Sequence, residues 1–422
     1  MSFRTAQRNP QLGWSRCPRP RWPHALPLRR SVRWSSISQR PGSDHVHFPG
    51  AVNSKFTTKL SFERPSTHAT IPTFRVMDSD GVIVDKDRDP PDVSEEEVLT
   101  WYKNMLTVSI MDLIMFDAQR QGRLSFYMVS AGEEGIAVGS ASALTPDDVI
   151  FAQYRETGVF QQRGFTLEDF MSQLFANRKD AGKGRNMPVH YGSSKLNIHT
   201  ISSPLATQIP QASGAAYALK LQALTNPTLP PRIVACYFGE GAASEGDFHA
   251  ALNIAATRAC PVVFVCRNNG YAISTPTLEQ YRGDGIASRG VGYGIDTVRV
   301  DGNDVFAVRE VMGRARAMAL EGGGRPVLVE AMSYRVEEVD GGEGVWDAER
   351  EGKARRRIRG EVLGAFARAE REKRPRLRGM FEDVYEEVTE EARGQMEELR
   401  GVLERYPEEY DVDEYEDGRD GL

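Results

Sequence analysis

The stretch YFGEGAASEGD, Tyr237–Asp247, closes an apolar run, IVACYF (Ile233–Phe238), with a glycine turn and what reads as a helix start. A strand, a glycine turn and a helix N-terminus in that order present free backbone N–H groups to a phosphate. Glu240 conflicts with that reading, because its carboxylate stands between Gly239 and Gly241, where the anion would arrive.

A dinucleotide site does not remove the conflict. The G-x-G-x-x-G fingerprint needs a third glycine, and an acid at the end of the next strand to hold a ribose hydroxyl. Here Ser244 takes the third glycine's place, and the next apolar run ends in Arg267-Asn268-Asn269. A divalent cation does remove it. Mg²⁺ prefers hard oxygen ligands in near-octahedral geometry, commonly one carboxylate with amide, backbone and phosphate oxygens. Glu240 offers the carboxylate, Asn269 an amide oxygen and Tyr271 a backbone carbonyl. Twenty-six residues separate Gly241 from Asn268, enough for one helix and one strand, so the two strand tips become neighbours.

Outward from this point, apolar runs alternate with amphipathic segments. DVIFAQ (Asp148–Gln153), IVACYF, PVVFVCR (Pro261–Arg267), TVRV (Thr297–Val300) and PVLVEAMSYR (Pro326–Arg335) read as strands. The intervening segments read as helices, the last over Val305–Leu320. Continuous apolar strands between helices indicate an α/β fold, a parallel sheet covered on both faces, whose ligands sit at the carboxyl ends of the strands. Upstream, Ser94 with Glu97 forms a capping box for a helix carrying Leu99, Tyr102, Leu106, Ile110, Leu113 and Phe116 at helical spacing, ended by Gly122. A long glycine-rich loop spans Arg178–Gly192, and Pro204 is read as the first residue of another helix, capped by Ser202 or Ser203.

The formal net charge of −6 conceals an asymmetry. Residues 1–41 hold nine arginines and no Asp or Glu, so the remainder carries −6 − 9 = −15. A basic, acid-free, Ser-containing segment resembles a mitochondrial presequence, here with cleavage near Val32–Ser36. The alternative, a basic nucleic-acid-binding arm, lacks a second basic and aromatic surface to support it. Residues 42–93 read as an extended, Pro-rich arm with short strands in FRVMD and GVIVD, 94–335 as the α/β domain, and 336–422 as a charged helical region with an acidic tail. From Phe381 to Leu422 seventeen acids face four arginines, with Val384, Val388, Met396, Leu399 and Leu403 on one apolar face before a disordered end. No apolar run is long enough to span a bilayer. The four cysteines form no C-x-x-C pair, and read as reduced thiols.

GEG followed at this distance by NN resembles the thiamine diphosphate motif. The surrounding RQGRLSFYM (Arg120–Met128), FAQYRETGV (Phe151–Val159), GKGRNMPVHYG (Gly182–Gly192), ISSPLATQIPQA (Ile201–Ala212) and CRNNGYAISTPTLEQYRGDGIASRG (Cys266–Gly290) narrow the resemblance. Together they are similar to the alpha subunit of the branched-chain 2-oxoacid (2-oxoisovalerate) dehydrogenase component, from about His47 to Arg335 and again near Gly344–Arg350. GYAISTPT after NN favours the branched-chain member over the pyruvate-specific one.

The resemblance implies a soluble mitochondrial-matrix enzyme subunit in an α₂β₂ assembly, handing its acyl group to a lipoyl-bearing acyltransferase core. It implies Glu240, Asn269 and Tyr271 as Mg²⁺ ligands and Tyr154, Arg155, Ser203, Gly241, Ala242 and Arg267 as cofactor contacts. It implies Ser202, Pro204, Thr207 and Gln208 as a K⁺ loop, and Phe126 and Leu205 as an apolar substrate pocket. Guanidinium forks suit phosphate oxygens, which gives Arg155 and Arg267 a physical reason to be there. The carboxylate that activates the cofactor comes from the separate beta subunit, so one chain is half a site.

The family's histidine, expected after Tyr334-Arg335, has no counterpart, because the last histidine of the chain is His249. The catalytic residue of this chain is therefore unassigned, and weak turnover is expected, since loss of an acid–base group costs roughly 10²–10⁴-fold in rate. A mis-spliced gene sequence and a paralogue that has lost chemistry both account for the gap. His190 and His249 read as packed or capping residues ahead of general bases. The remaining alternatives are a pyruvate or generic 2-oxoacid dehydrogenase alpha subunit, and a catalytically silent subunit that stabilises beta chains.

Overall fold

A computed structural model describes residues 45–48, 51–55, 57–333 and 348–422. The presequence, Cys17 and the segment where the family histidine is expected lie outside them. The chain divides into two units between Thr67 and His68, and in the first β1 (His45–Phe48) and β2 (Ala51–Lys55) pair antiparallel. Residues 68–422 form the other.

In that second unit six parallel strands make one sheet in the order β3-β9-β10-β6-β5-β4. They are β3 (Thr73–Phe74), β4 (Val149–Phe151), β5 (Val234–Gly239), β6 (Val262–Asn268), β9 (Asp296–Asp301) and β10 (Val327–Met332). A separate two-stranded ribbon, β7 (Tyr271–Ala272) with β8 (Thr275–Pro276), follows β6 directly. The five strands read from the sequence form the sheet's body, and Thr73–Phe74, from the segment read as an arm, adds its edge.

Period-two alternation divides the central strands between two cores. Ala235 and Tyr237 of β5, Val263 and Val265 of β6, and Val327, Val329 and Ala331 of β10 face one cluster. Val234, Cys236, Phe238, Val262, Phe264, Cys266 and Leu328 face the other. Helices Glu95–Arg120, Glu134–Ser142, Val305–Leu320 and Ala348–Glu370 contribute to the first face, and Gln208–Thr225 with Gly246–Arg258 to the second. Cys236, Cys260 and Cys266 are free and buried.

Several local readings need correction. The capping box at Ser94 and Glu97 is present, but Leu113 and Phe116 are exposed while Met111, Ile114 and Met115 are buried. The apolar residues of this helix are spread around its circumference, so its spacing alone does not choose the inward face. The helix read from Pro204 begins at Gln208 with Thr207 as its N-cap, so neither Ser202 nor Ser203 caps it. In the C-terminal region Val384 lies outside the helix Glu390–Arg405 and is exposed. The acidic end is folded back rather than disordered. Arg374 N–H donates to the Glu414 carbonyl at 2.8 Å, Arg376 pairs with Asp417 at 2.8 Å, and Leu422 is buried beside Leu377, Leu403 and Val412.

One charge sits in the middle of the sheet. Glu330 of β10 is fully buried and accepts from Asn268 Nδ2 at 2.8 Å, the Ile286 and Ala287 N–H groups at 2.9 Å and Arg299 Nε at 3.0 Å. A buried carboxylate is tolerated only when its lone pairs are filled this way. It fastens the segment following β8 to the sheet beside the end of β6. No helix among the described residues is long and apolar enough to cross a membrane.

Candidate functional site

The carboxyl ends of β4, β5 and β6 share one rim because these strands are parallel neighbours. Gly239 lies opposite Arg267, and the ladder continues one step, with Glu240 N–H donating to the Arg267 carbonyl at 3.0 Å. Glu240 and Asn269 therefore leave adjacent strand tips at the same end of the sheet.

Glu240 is 3% exposed and its Oε1 has no hydrogen-bond partner. Burial pushes its carboxyl up to about 6, with the charge of Glu133 adding to the shift. An orphaned buried carboxylate oxygen calls for an explanation such as an ion. Beside it, Gly241 approaches β7 so closely that a Cβ would fall 2.7 Å from the Ala272 Cβ. Ala242 is buried next to it.

Two acids that the sequence reading passed over organise this rim. Glu133 accepts from Arg267 Nη1 at 2.6 Å through one oxygen and from Asn269 Nδ2 at 2.8 Å through the other. Glu156 accepts from Arg267 Nε and, at 2.6 Å, from the Gln153 N–H. Gln153 Oε1 in turn accepts from the Gly239 N–H at 3.0 Å. Glu133, Glu156, Arg267 and Asn268 are all buried. Burial alone would lower the Arg267 pKa, but Glu133 and Glu156 outweigh it and raise it. Burial raises the Glu156 carboxyl, opposed by Arg267. Arg267 is thus held by two carboxylates, and Arg155 Nη1 donates to the Val129 carbonyl at 2.6 Å. The signal for both acids was faint: Glu133 stands before a helix start and Glu156 within a turn, where an acid ordinarily marks only a helix N-terminus.

A hard cation fits this arrangement. Glu133, Glu156 and Glu240 bring three formal negative charges against the one positive charge of Arg267, all in a buried environment. Over these four side chains the surplus is two, a buried excess that a cation would offset. Among the described residues no three His, Cys, Asp or Glu side chains converge on a metal position. A cation here would need amide or backbone oxygens beside a carboxylate, and Glu240 Oε1, Asn269 Oδ1 and the Tyr271 carbonyl are the ones expected from the sequence. Asn269 Oδ1 already accepts from the Tyr271 N–H at 3.1 Å, and the Tyr271 side chain is half exposed.

A second group of oxygens gathers before the helix Gln208–Thr225. The Thr207 hydroxyl lies 3.2 Å from both Ser202 Oγ and the Pro204 carbonyl. Ala206 holds a left-handed φ of 66° there, and Gln208 Nε2 donates to the Tyr237 carbonyl at 3.0 Å. Next to this group Ser203 Oγ is 2.6 Å from His190 Nε2, whose Nδ1 is 2.9 Å from the Pro188 carbonyl. The ring of Tyr154 lies 6.4 Å from that imidazole. His190 is therefore a packed side chain touching Ser203, while His249 faces Tyr293 OH at 3.0 Å. Phe126 packs half-buried against the main core and Leu205 is exposed. A cavity of about 490 Å³ opens beside Asp180, Asn186 and His199, and shares only His190 with these groups.

Residues 102–338 match the family described as "Dehydrogenase E1 component". Over 421 residues the chain is 48% identical to 2-oxoisovalerate dehydrogenase subunit alpha, mitochondrial, of Homo sapiens, covering 92% of each chain. It is 49% identical to the Mus musculus protein of the same name, over 88% of this chain and 89% of that one. The Caenorhabditis elegans protein of that name is 46% identical, over 86% and 89%. Among solved structures, transketolase from Campylobacter jejuni overlaps 57% of this chain and 38% of its own at 17% identity, with a TM-score of 0.44.

Proposed function

The chain belongs to the dehydrogenase E1 component family, and from that premise we propose that it is the alpha subunit of a mitochondrial, thiamine diphosphate-dependent dehydrogenase of branched-chain 2-oxoacids. Its partners are the beta subunit, in an α₂β₂ assembly, and a lipoyl-bearing acyltransferase that takes the acyl group. Residues 1–41 direct it to the matrix, 42–93 form an N-terminal arm, 94–335 the cofactor-binding domain and 336–422 a charged helical appendage.

The observation that carries this reading is the orphaned oxygen of Glu240 on a rim with a surplus of buried negative charge. Glu240, Asn269 and Tyr271 would hold Mg²⁺, which would supply positive charge for the diphosphate. Tyr154, Arg155, Ser203, Gly241, Ala242 and Arg267 line the cofactor's seat. Gly241 matters there by what it lacks, since a side chain would collide with Ala272. Arg267 ties the strand tips together rather than acting as a mobile phosphate clamp, because Glu133 and Glu156 hold its guanidinium and offset its charge. Ser202, Pro204, Thr207 and Gln208 hold K⁺, a role supported by the convergence of the Thr207 and Ser202 hydroxyls with the Pro204 carbonyl. Phe126 and Leu205 supply apolar surface to a branched side chain.

When bound, thiamine diphosphate supplies the carbon nucleophile and electron sink that loss of CO₂ from a 2-oxoacid requires. The chain's own contribution is to seat the diphosphate and orient the cofactor, and the beta subunit completes the site. Calorimetry on chains co-expressed with the beta subunit tests the proposal. Magnesium-dependent binding of thiamine diphosphate, with turnover of branched-chain 2-oxoacids over pyruvate, is the expected result. Preference for pyruvate would shift the substrate assignment, and no magnesium-dependent binding would favour a silent subunit.

A further inference from the structure

Glu133 immediately precedes the helix Glu134–Ser142, at its N-cap position, yet its side chain makes no capping hydrogen bond. It is 2% exposed and turned to the strand tips, joining Arg267 Nη1 to Asn269 Nδ2. Its loop is fixed from behind, since Ser333 Oγ donates to the Gly132 carbonyl and the Gly132 N–H donates to Glu134 Oε2 at 2.8 Å. An ionised carboxylate only accepts hydrogen bonds, so it can face only the NH₂ end of the Asn269 amide. On the other side of that amide the Tyr271 N–H only donates, and it meets Oδ1 at 3.1 Å. Together the two partners permit one amide orientation and forbid its flip.

We propose that Glu133 is a positioning residue that sets the polarity of the Asn269 side chain, so that an oxygen and not an NH₂ group faces the cation. This rests on the reading of Asn269 as a magnesium ligand. Glu133 coordinates nothing itself. A glutamine at 133 could present either its oxygen or its NH₂ group to Asn269, so only the Tyr271 N–H would be left to hold the amide's orientation. An aspartate at 269 has two equivalent oxygens and needs no orienting, but would then face Glu133 as a like charge.

The prediction is a reversal of sign, which a merely structural role for Glu133 would not produce. In the assembled α and β chains, the magnesium concentration needed for half-maximal thiamine diphosphate binding is measured by calorimetry for the wild type, E133Q, N269D and E133Q/N269D. E133Q is expected to weaken magnesium binding about tenfold, a change of about 1.4 kcal/mol. N269D alone is expected to weaken it by a similar factor, and the double variant to return close to the wild-type value. Metal-free melting temperatures of the four proteins report whether each folds. If E133Q fails to assemble, E133A takes its place in the same cycle with the same reversal expected.

Wild-type magnesium affinity in E133Q, or losses that multiply in the double variant, would overturn the proposal. A wild-type protein that binds thiamine diphosphate without any magnesium dependence would instead remove the reading on which it rests.

Discussion

Replacing Glu240 by glutamine should make the metal-free protein more stable while removing its response to cofactor. Glu240 is buried with one oxygen unpartnered, and its carboxyl is raised from 4.5 to about 6, chiefly by burial. The native state therefore keeps a proton across that interval that the unfolded chain has released, so stability falls as pH rises through it. A shift of this size corresponds to about 2 kcal/mol lost above pH 6 relative to a neutral isostere. In chelator at pH 7.5, E240Q should unfold at a higher temperature than the wild type, and the two should converge near pH 4. With magnesium and thiamine diphosphate present the order should reverse, because a ligand at 100 times its Kd adds about 2.7 kcal/mol to a protein that binds it. Thermal melts of the assembled α and β chains, in chelator and in saturating cofactor between pH 4 and 8, give both halves of the result. An E240Q protein less stable than wild type in chelator, or equally stabilised by cofactor, would refute the reasoning.

Three further perturbations probe other parts of the molecule. Burial raises the Asp112 carboxyl from 3.8 to about 7 although Tyr127 OH and the Ser130 N–H donate to it at 2.7 and 2.6 Å, so stability should fall as pH rises between these values. D112N should flatten that slope in melts taken from pH 4 to 8, by on the order of 4 kcal/mol. Glu330→Gln puts an NH₂ group against donors and leaves Arg299 short of a partner, so denaturation should show a loss of about 3–5 kcal/mol. Thr207→Val removes the hydroxyl that meets Ser202 and Pro204, so its melting temperature should no longer rise when K⁺ replaces choline in the buffer.

The sheet could be read from the sequence because strands buried on both faces leave continuous apolar runs, and IVACYF and PVVFVCR are such runs. A short strand was legible in FRVMD from Phe74 on, but its place at the sheet's edge was not, since the pairing with β9 joins positions far apart in the chain. The same limit hid the ordered C-terminus. Its acids are matched by Arg178, Arg374 and Arg376, and the acid run alone, seen without those cations, resembles a solvated tail. At the candidate site the odd placement of Glu240 was visible because it contradicted its own motif. Glu133 and Glu156 contradicted nothing locally. Their function depends on a guanidinium 134 and 111 positions away, and no spacing rule reaches that far.

Those two acids change what the arginine at the end of β6 can do. A guanidinium free to fork onto a phosphate would attract the diphosphate by itself, at about 4 kcal/mol for a unit pair 4 Å apart at an effective dielectric near 20. With Glu133 and Glu156 against it, Arg267 is neutralised and the pair of acids leaves a surplus before Glu240 is counted. Diphosphate approaching that rim without a metal would meet net negative charge. On the proposed reading, a divalent cation held at Glu240 would offset that surplus and give the orphaned oxygen a partner. On that same reading, the acids that hold Arg267 are the physical reason the rim would require a metal, and Asn269, bonded to Glu133, is where that requirement would become geometry.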